Sequence, residues 1–194
     1  MREYDRVLRD HVTMVTRAAY FAAQRHVGQR RKGAAREPYV NHLAEVALLL
    51  AETAHEPDAY LVTAGWLHDT LEDTSTTRDE LDHLFGRLVT EAVVEVTDDK
   101  ALPKEARKHV QVQRTAGKSE RARLINIADK TSNLRSLAAS PPADWGYERI
   151  SDYVVWSEQV VASCRGLNAE LEKAFDLAVA DARAAIRLPV RTAD

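Results

Sequence analysis

Cysteine is almost absent from this sequence, which contains a single one, Cys164, among its 194 residues. One cysteine cannot form an internal disulfide, and this agrees with a reducing compartment. The charged N-terminal segment 1–5 is not followed by an apolar region, so no secretory signal is expected. We therefore expect a cytoplasmic protein in which Cys164 is a small core residue and not a nucleophile.

The sequence also lacks long apolar runs and an excess of positive charge. Its longest apolar runs, such as 46–51, fall far short of the roughly 20 residues that a helix needs to cross a bilayer. The formal net charge of -3 offers no basic footprint for a nucleic-acid backbone. We therefore expect neither a membrane nor a nucleic acid as a partner, and nothing in the composition specifies an oligomeric state.

No alternating apolar pattern is long enough for a central strand, and there is no internal repeat or low-complexity segment. Apolar residues recur instead at helical spacing, and the 45% of hydrophobic residues can supply one full core. The sequence thus predicts an all-α, single-domain bundle of about eight to ten helices over residues 1–194, with a disordered tail at 189–194. The predicted helical segments are approximately 7–26, 38–53, 58–74, 78–85, 88–96, 104–113, 120–139, 148–164 and 168–188.

The stretch 67–74 places four ionisable residues within six positions of an otherwise apolar helical pattern. In a helix, residues three and four apart share a face, so Glu72 would lie one turn beyond His68 and Asp69, and Asp73 one turn beyond Asp69. A neutral imidazole with carboxylates is a suitable ligand set for a divalent cation such as Mn²⁺, Fe²⁺ or Zn²⁺. The alternative is a solvated His-Asp pair at a helix end, because short motifs often match by chance.

Other candidate residues lie outside that stretch. Asp129 falls inside the apolar stripe of a long predicted helix, where a carboxylate is costly unless it is paired or binds a cation. His42 lies early in an apolar helix, and a lone histidine there is more often a core residue than a ligand. Arg31 and Lys32 belong to a run of cations between two glycines, 28–33, which is either a solvated loop or an anion clamp for phosphate.

The order of these residues along the chain resembles that of a known family. His42, then His68 and Asp69, then Asp129 are similar to the four-ligand pattern of the HD phosphohydrolase superfamily. More narrowly, the sequence resembles the hydrolase half of the RelA/SpoT alarmone enzymes and the stand-alone small alarmone hydrolases of the metazoan SpoT homologue type. The matching segments lie in order between about residues 18 and 165: 31–32, 38–42, 67–74, 85–86, 96–100, 102–104, 128–130 and 133–134.

The resemblance implies an all-helical fold, a single Mn²⁺ ion and a nucleotide substrate. The implied reaction removes the 3′-pyrophosphate from ppGpp and pppGpp and leaves GDP or GTP. The implied roles are metal ligation by His42, His68, Asp69 and Asp129; action on the attacking water by Glu72 and Asp73; nucleotide contacts by the cations Arg31 and Lys32; a ribose contact by Asn133; and proximity to the distal phosphate for Lys104 and Tyr153.

Two positions depart from the pattern of the family. Leu43 stands where many relatives have proline, and Trp66 replaces a small or aliphatic residue directly before the HD pair. These departures concern the wall of the expected pocket and leave the four ligand positions intact.

Three functions are compatible with these residues. The first is an alarmone 3′-pyrophosphohydrolase, and the second is a phosphatase for another nucleotide, including the 2′-phosphate of NADPH, because the same cations would bind any phosphorylated ribose. The third is a catalytically silent alarmone-binding module, against which the intact Glu72 and Asp73 argue. The chain is too short to add a synthetase domain of usual size, so a bifunctional enzyme is not expected.

Overall fold

The computed structural model describes residues 3–53 and 58–187. This part of the chain forms ten α-helices and one short 3-10 helix, and its only pairing of β type is an isolated bridge between Arg30 and Pro38. The predicted all-α fold is confirmed, whereas the predicted disordered tail at 189–194 lies outside the described residues. The helices are α1 (Glu3–Arg25), α2 (Val40–Thr53), α3 (Ala59–Leu67), α4 (Thr70–Asp73), α5 (Arg78–Phe85), α6 (Arg87–Val96), α7 (Lys104–Arg114), α8 (Glu120–Ala139), α9 (Tyr147–Ala162) and α10 (Ala169–Arg187), with the 3-10 turn at Thr115–Gly117.

The long helix α8 lies at the centre of the packing. It packs most extensively against α10 and also contacts α2, α3, α6 and α9, while α3 packs on both α1 and α2. Fully buried apolar side chains from these helices form the core, among them Leu67, Ile127, Leu134 and Phe175. Cys164 is buried in the same core, as the sequence predicts. None of the described helices is both long and apolar enough to span a membrane.

Side-chain caps begin several of the helices at the predicted places. The Thr77 hydroxyl accepts from the backbone N–H of Glu80 at 3.2 Å, and the Ser119 hydroxyl accepts from Ala122 N–H at 3.3 Å. Each cap satisfies an N–H group that has no partner inside the first turn of the helix. These contacts fix the starts of α5 and α8, and α8 carries Asp129 into the core.

The prediction of one continuous helix through residues 58–74 is wrong, because the chain leaves the helix at His68 and Asp69. Two carbonyl groups that would accept backbone N–H groups in a continuing helix accept hydrogen bonds from side chains instead. His68 Nδ1 donates to the carbonyl of Gly65 at 2.8 Å, and the Thr70 hydroxyl donates to that of Leu67 at 2.6 Å. The HD pair therefore sits at a break between α3 and α4, where both side chains can face the same point.

A close approach of α3 to α2 brings the two histidines together. A Cβ atom added to Gly65 would lie 2.7 Å from Cδ1 of Leu50 and 3.4 Å from Cα of Ala47, so α2 leaves no room for a side chain there. The ring centroids of His42 on α2 and His68 are 5.1 Å apart as a result. The packing of α3 on α2 thus brings His42 and the HD pair, which are separate in sequence, into one site.

Candidate metal centre and adjoining pocket

Four predicted ligands converge in the cleft between α2, the α3–α4 break and α8. His42 Nε2 lies 3.5 Å from Asp69 Oδ2 and 3.2 Å from Asp129 Oδ1. His68 Nε2 lies 3.1 Å from the same oxygen of Asp69 and 3.8 Å from that of Asp129. Two imidazole nitrogens and two carboxylate oxygens therefore surround one small volume.

The two histidines present the same nitrogen to this volume. Because a carbonyl oxygen can only accept, the contact to Gly65 requires a proton on His68 Nδ1 and leaves Nε2 to face the carboxylates. Burial alone would lower the pKa of His68, but the Asp69 and Asp129 carboxylates outweigh it and hold that pKa well above its usual value. A cation bound by these carboxylates would therefore compete with a proton on His68 Nε2.

The two aspartates are held as carboxylates. Burial favours their neutral forms, but the rings of His68 and His42 hold the pKa of Asp69 well below its usual value. The pKa of Asp129 is also well below its usual value, because the Lys130 ammonium and the same rings outweigh burial. The side chain of Lys130 donates to Asp129 Oδ2 at 2.7 Å. Both acids are therefore ionised at neutral pH and ready to act as ligands.

This donor set fits a divalent cation. Ligand atoms of His42, His68 and Asp69 all lie within 4.8 Å of one another, and Asp129 adds a fourth oxygen beside both rings. His68 Nε2 is buried and has no hydrogen-bond partner of good geometry, which a metal bond would remedy. Mixed nitrogen and oxygen ligands suit Mn²⁺, Fe²⁺ or Zn²⁺.

Glu72 and Asp73 line the same cleft from α4. The Glu72 carboxylate accepts from the Asp98 N–H at 3.2 Å and from Arg107 at 3.3 Å. Burial, reinforced by nearby Asp69, raises the pKa of Glu72 to about 7 despite these donors. Asp73 is more exposed and forms an ion pair with Lys100. Glu72 is therefore poised to exchange a proton near neutral pH, which suits a general acid or base.

A second pocket adjoins the cleft and is lined by the predicted substrate residues Arg31, Lys32, Asn133 and Tyr153. It shares the lining residues Tyr39 and Asn133 with the cleft, so the two lie side by side. Arg31 is buried and donates to the side-chain oxygen of Asn133 at 3.2 Å, whereas Lys32 is exposed. The pocket thus carries a fixed guanidinium and a mobile ammonium beside the candidate metal centre.

The loop that carries these cations packs tightly on the end of α8. A Cβ atom added to Gly33 would lie 2.3 Å from the backbone oxygen of Ser140, and the Ala35 N–H donates to the Ser140 hydroxyl at 2.9 Å. The predicted anion-clamp loop is therefore held against the helix that supplies Asp129 and Asn133.

Tyr153 and Lys104 differ in how closely they approach the pocket. Burial raises the pKa of Tyr153 to about 12, so its phenol stays a neutral hydrogen-bond donor in the pocket wall. Lys104 is exposed and is not among the residues that line this pocket. Its ammonium lies 5.9 Å from the ring centroid of Trp145, a residue of the wall. Partial burial and the nearby cations Lys108, Arg149 and Lys32 lower the pKa of Lys104. Lys104 therefore belongs to a group of cations at the rim of the pocket.

Leu43 and Trp66, the two departures from the family pattern, lie away from the site. Leu43 is fully buried in the core, and Trp66 is partly buried and packs against the same core. Neither is among the residues that line the cleft or the adjoining pocket.

Sequence reasoning assigned no role to several residues that contact the site. The Tyr39 hydroxyl donates to Asp69 Oδ2 at 2.7 Å, and buried Lys130 pairs with Asp129. Tyr39 precedes His42 and Lys130 follows Asp129, both within the matched segments, so their positions in the sequence could have identified them. Ser132 contacts both His42 and Glu45 across a separation of many residues, and no local pattern identifies these contacts.

Comparisons with known proteins agree with this geometry. The model of the HD domain family matches residues 18–154. The chain is 42% identical over 163 residues to guanosine-3′,5′-bis(diphosphate) 3′-pyrophosphohydrolase MESH1 of Xenopus tropicalis, covering 84% of this chain and 91% of that protein. It is 45% identical over 158 residues to the Homo sapiens protein of the same name, covering 81% and 88%.

The fold leads to the same family. The structure of a metazoan ortholog of SpoT, described as hydrolysing ppGpp and playing a role in starvation responses, matches with a TM-score of 0.81 and 41% identity, over 85% of this chain and 93% of that one. A protein from Listeria monocytogenes EGD-e matches with a TM-score of 0.62 and 26% identity, over 76% and 99%. The chain belongs to the HD domain family, and within that family to the group of MESH1 proteins.

Proposed function

We propose that this protein hydrolyses the 3′-pyrophosphate of ppGpp and pppGpp, producing GDP or GTP and pyrophosphate, with one divalent cation as cofactor. The observation that carries the proposal is that the cluster of two histidines and two aspartates lies beside a pocket that contains Arg31 and Lys32. The activity that the names of the MESH1 relatives state supports the same reaction. The single cysteine is consistent with the cytosol as the place of action.

The cofactor proposed here is Mn²⁺, held by His42, His68, Asp69 and Asp129. When bound, such a cation supplies a water of lowered pKa and offsets charge on a phosphoryl oxygen. The hydrogen bonds from Tyr39 to Asp69 and from Lys130 to Asp129 orient the two carboxylates towards the cleft.

The proposed proton acceptor is Glu72, because its raised pKa of about 7 and its place in the cleft suit a base that works near neutral pH. As the proton leaves the attacking water, the water oxygen bonds to the phosphorus attached to the 3′-oxygen. The bond between that phosphorus and the 3′-oxygen breaks, and the proton that Glu72 accepted passes to the 3′-oxygen of the departing GDP or GTP. Asp73, the second proposed acid, lies beside Glu72 and assists in orienting the water.

The proposed nucleotide site is the adjoining pocket. Arg31 offers a buried, planar guanidinium to phosphate oxygens, and Lys32 adds a mobile charge at the opening. Asn133, already bonded to Asp129 and Arg31, would contact the ribose between the two regions. Tyr153 in the wall and Lys104 at the rim are proposed to face the distal phosphates.

The test is to incubate metal-stripped protein, with and without added Mn²⁺, with ppGpp, pppGpp, NADPH and 3′-phosphorylated nucleotides, and to separate the products. The proposal predicts pyrophosphate and GDP from ppGpp only when metal is present, and no product from the Asp129→Asn variant. Phosphate release from NADPH with ppGpp left intact would favour the nucleotide-phosphatase alternative. Tight binding of ppGpp without turnover would favour the silent binding module.

A further inference from the structure

A chain of hydrogen bonds runs from the back of His42 to the protein surface. His42 Nδ1 lies 2.9 Å from the hydroxyl oxygen of Ser132, and that hydroxyl donates to Glu45 Oε2 at 2.7 Å. The other oxygen of Glu45 accepts from Arg135 at 3.0 Å. His42 and Ser132 are 2% and 0% exposed, so no solvent replaces these contacts.

The direction of each hydrogen bond in this chain is fixed by chemistry. An ionised carboxylate can only accept, so the single hydroxyl proton of Ser132 points to Glu45. The Ser132 oxygen can then only accept from His42, which places a proton on Nδ1. In the neutral ring, His42 Nε2, which faces the Asp69 and Asp129 carboxylates, then carries the lone pair.

We infer that Ser132 and Glu45 are positioning residues that lock His42 in the tautomer able to bind a cation through Nε2. The inference rests on the metal site of the proposed function and adds residues to which nothing above assigns a role in the reaction. Without the Glu45 acceptor, the Ser132 hydroxyl could donate to His42 Nδ1 and stabilise the opposite tautomer, whose Nε2 carries a proton.

The behaviour of other buried hydroxyls supports a dedicated role for Ser132. Thr131 and Ser157, both fully buried on helices, donate to the carbonyl four residues earlier in their own helix, at 2.7 and 2.8 Å. That local bond is the usual one for a hydroxyl in a helix interior. Ser132 instead bonds across to α2, at the one place where α2 carries a candidate ligand.

The two candidate histidine ligands therefore differ in how they are oriented. His68 Nδ1 is fixed by the backbone carbonyl of Gly65, which no side-chain substitution removes. His42 depends on two side chains, with Arg135 holding Glu45 from the surface. The orientation of His42 is thus sensitive to single substitutions that touch neither the cleft nor the adjoining pocket.

The test compares Mn²⁺ binding by calorimetry to the metal-stripped wild type and to Ser132→Ala, Glu45→Leu and Ser157→Ala. We expect the first two variants to bind Mn²⁺ about tenfold or more weakly, as is usual when the partner of a ligating histidine is lost. Ser157→Ala, which removes a buried hydroxyl that bonds to a carbonyl of its own helix, should bind like the wild type. The melting temperature of each metal-free protein is measured alongside.

Wild-type Mn²⁺ affinity in Ser132→Ala and Glu45→Leu, with lowered melting temperatures only, would assign these residues a purely structural role and overturn the inference. If Ser132→Ala does not fold, the part-exposed Glu45→Leu variant decides the outcome by itself. A wild type that binds Mn²⁺ but leaves ppGpp intact would refute the proposed function, while the affinity comparison would still test the inference. A wild type that binds no divalent cation would overturn both.

Discussion

At the residue scale, each candidate ligand is held by a second polar contact. Tyr39 donates to Asp69, Lys130 to Asp129, and the Gly65 carbonyl accepts from His68. Such contacts fix the rotamers of ligands before an ion arrives and so reduce the cost of binding. Glu72 is different, because its contacts come from Arg107 and a backbone N–H, and its proposed role is to act on water and not to bind the ion.

The substitution Glu72→Gln separates a catalytic group from a ligand. It keeps the size of the side chain but removes the proton acceptor, so we expect hydrolysis of ppGpp to slow by about 10²-fold or more. Mn²⁺ content and ppGpp affinity should stay near those of the wild type. Metal content and single-turnover rate, measured on one preparation, check this. Loss of Mn²⁺ together with activity would instead identify Glu72 as a ligand.

The raised pKa of Glu72 also predicts how stability depends on pH in the metal-free protein. The folded state holds the proton up to about pH 7, whereas an unperturbed glutamate has a pKa of 4.5. The contribution of protonated Glu72 to the free energy of unfolding is therefore fully present below pH 4.5, and it is lost as the pH rises through 7.

Because glutamine mimics the protonated acid, Glu72→Gln should gain stability over the metal-free wild type as the pH rises from 5.5 to 8. Urea unfolding of both proteins with chelator present, at the two pH values, measures this difference. A difference that is the same at both pH values would contradict the raised pKa.

At the element scale, the helices could be predicted from the sequence but the joints between them could not. Apolar periodicity located most helix boundaries closely because it is a local signal, and the caps observed at Thr77 and Ser119 agree with two of the predicted starts. The break at residues 68–69 was missed because it depends on side chains of His68 and Thr70 bonding to carbonyls of the preceding turn.

The same distinction applies to the site. Asp129 could be predicted to bind a partner, because an unpaired carboxylate inside an apolar stripe is energetically costly. The sequence around His42, taken alone, favoured a core residue. The candidate role of His42 as a ligand depends on the packing of α2 on α3 and on its partner Ser132, which is distant in sequence. Resemblance to a family supplied what local chemistry could not.

The loop before α2 gives a prediction at this scale. Gly33→Ala would place a methyl group against the backbone oxygen of Ser140 and push the loop with Arg31 and Lys32 away from α8. We expect KM for ppGpp to rise by about tenfold, or about 1.4 kcal/mol, with Mn²⁺ content unchanged. Steady-state kinetics measure the change, and Gly28→Ala is the matched control, since nothing lies within 4 Å of its added Cβ. Equal KM values for the two variants would contradict the proposed packing role.

At the scale of the whole molecule, the candidate centre joins parts of the chain that are far apart in sequence. Its ligands come from α2, from the α3–α4 break and from α8, and these elements share one core. A bound cation would cross-link all three and shift the folding equilibrium.

Metal addition should therefore stabilise the protein as a whole. A free Mn²⁺ concentration 100 times Kd should add about 2.7 kcal/mol to the free energy of unfolding of the metal-stripped wild type. The melting temperature should rise with Mn²⁺ concentration in the wild type and stay constant in Asp129→Ala. Thermal scans over a range of Mn²⁺ concentrations measure this, and equal shifts in both proteins would place the binding elsewhere.

The central claim is that water, activated at this centre, cleaves the bond between phosphorus and the 3′-oxygen of ppGpp. The most direct test is to let the Mn²⁺-loaded protein hydrolyse ppGpp in water enriched in the heavy oxygen isotope, and to weigh the products by mass spectrometry. We expect unlabelled GDP and pyrophosphate carrying one heavy oxygen, with no turnover after chelation. Label in GDP, orthophosphate as the sole product, or undiminished turnover after chelation would contradict it.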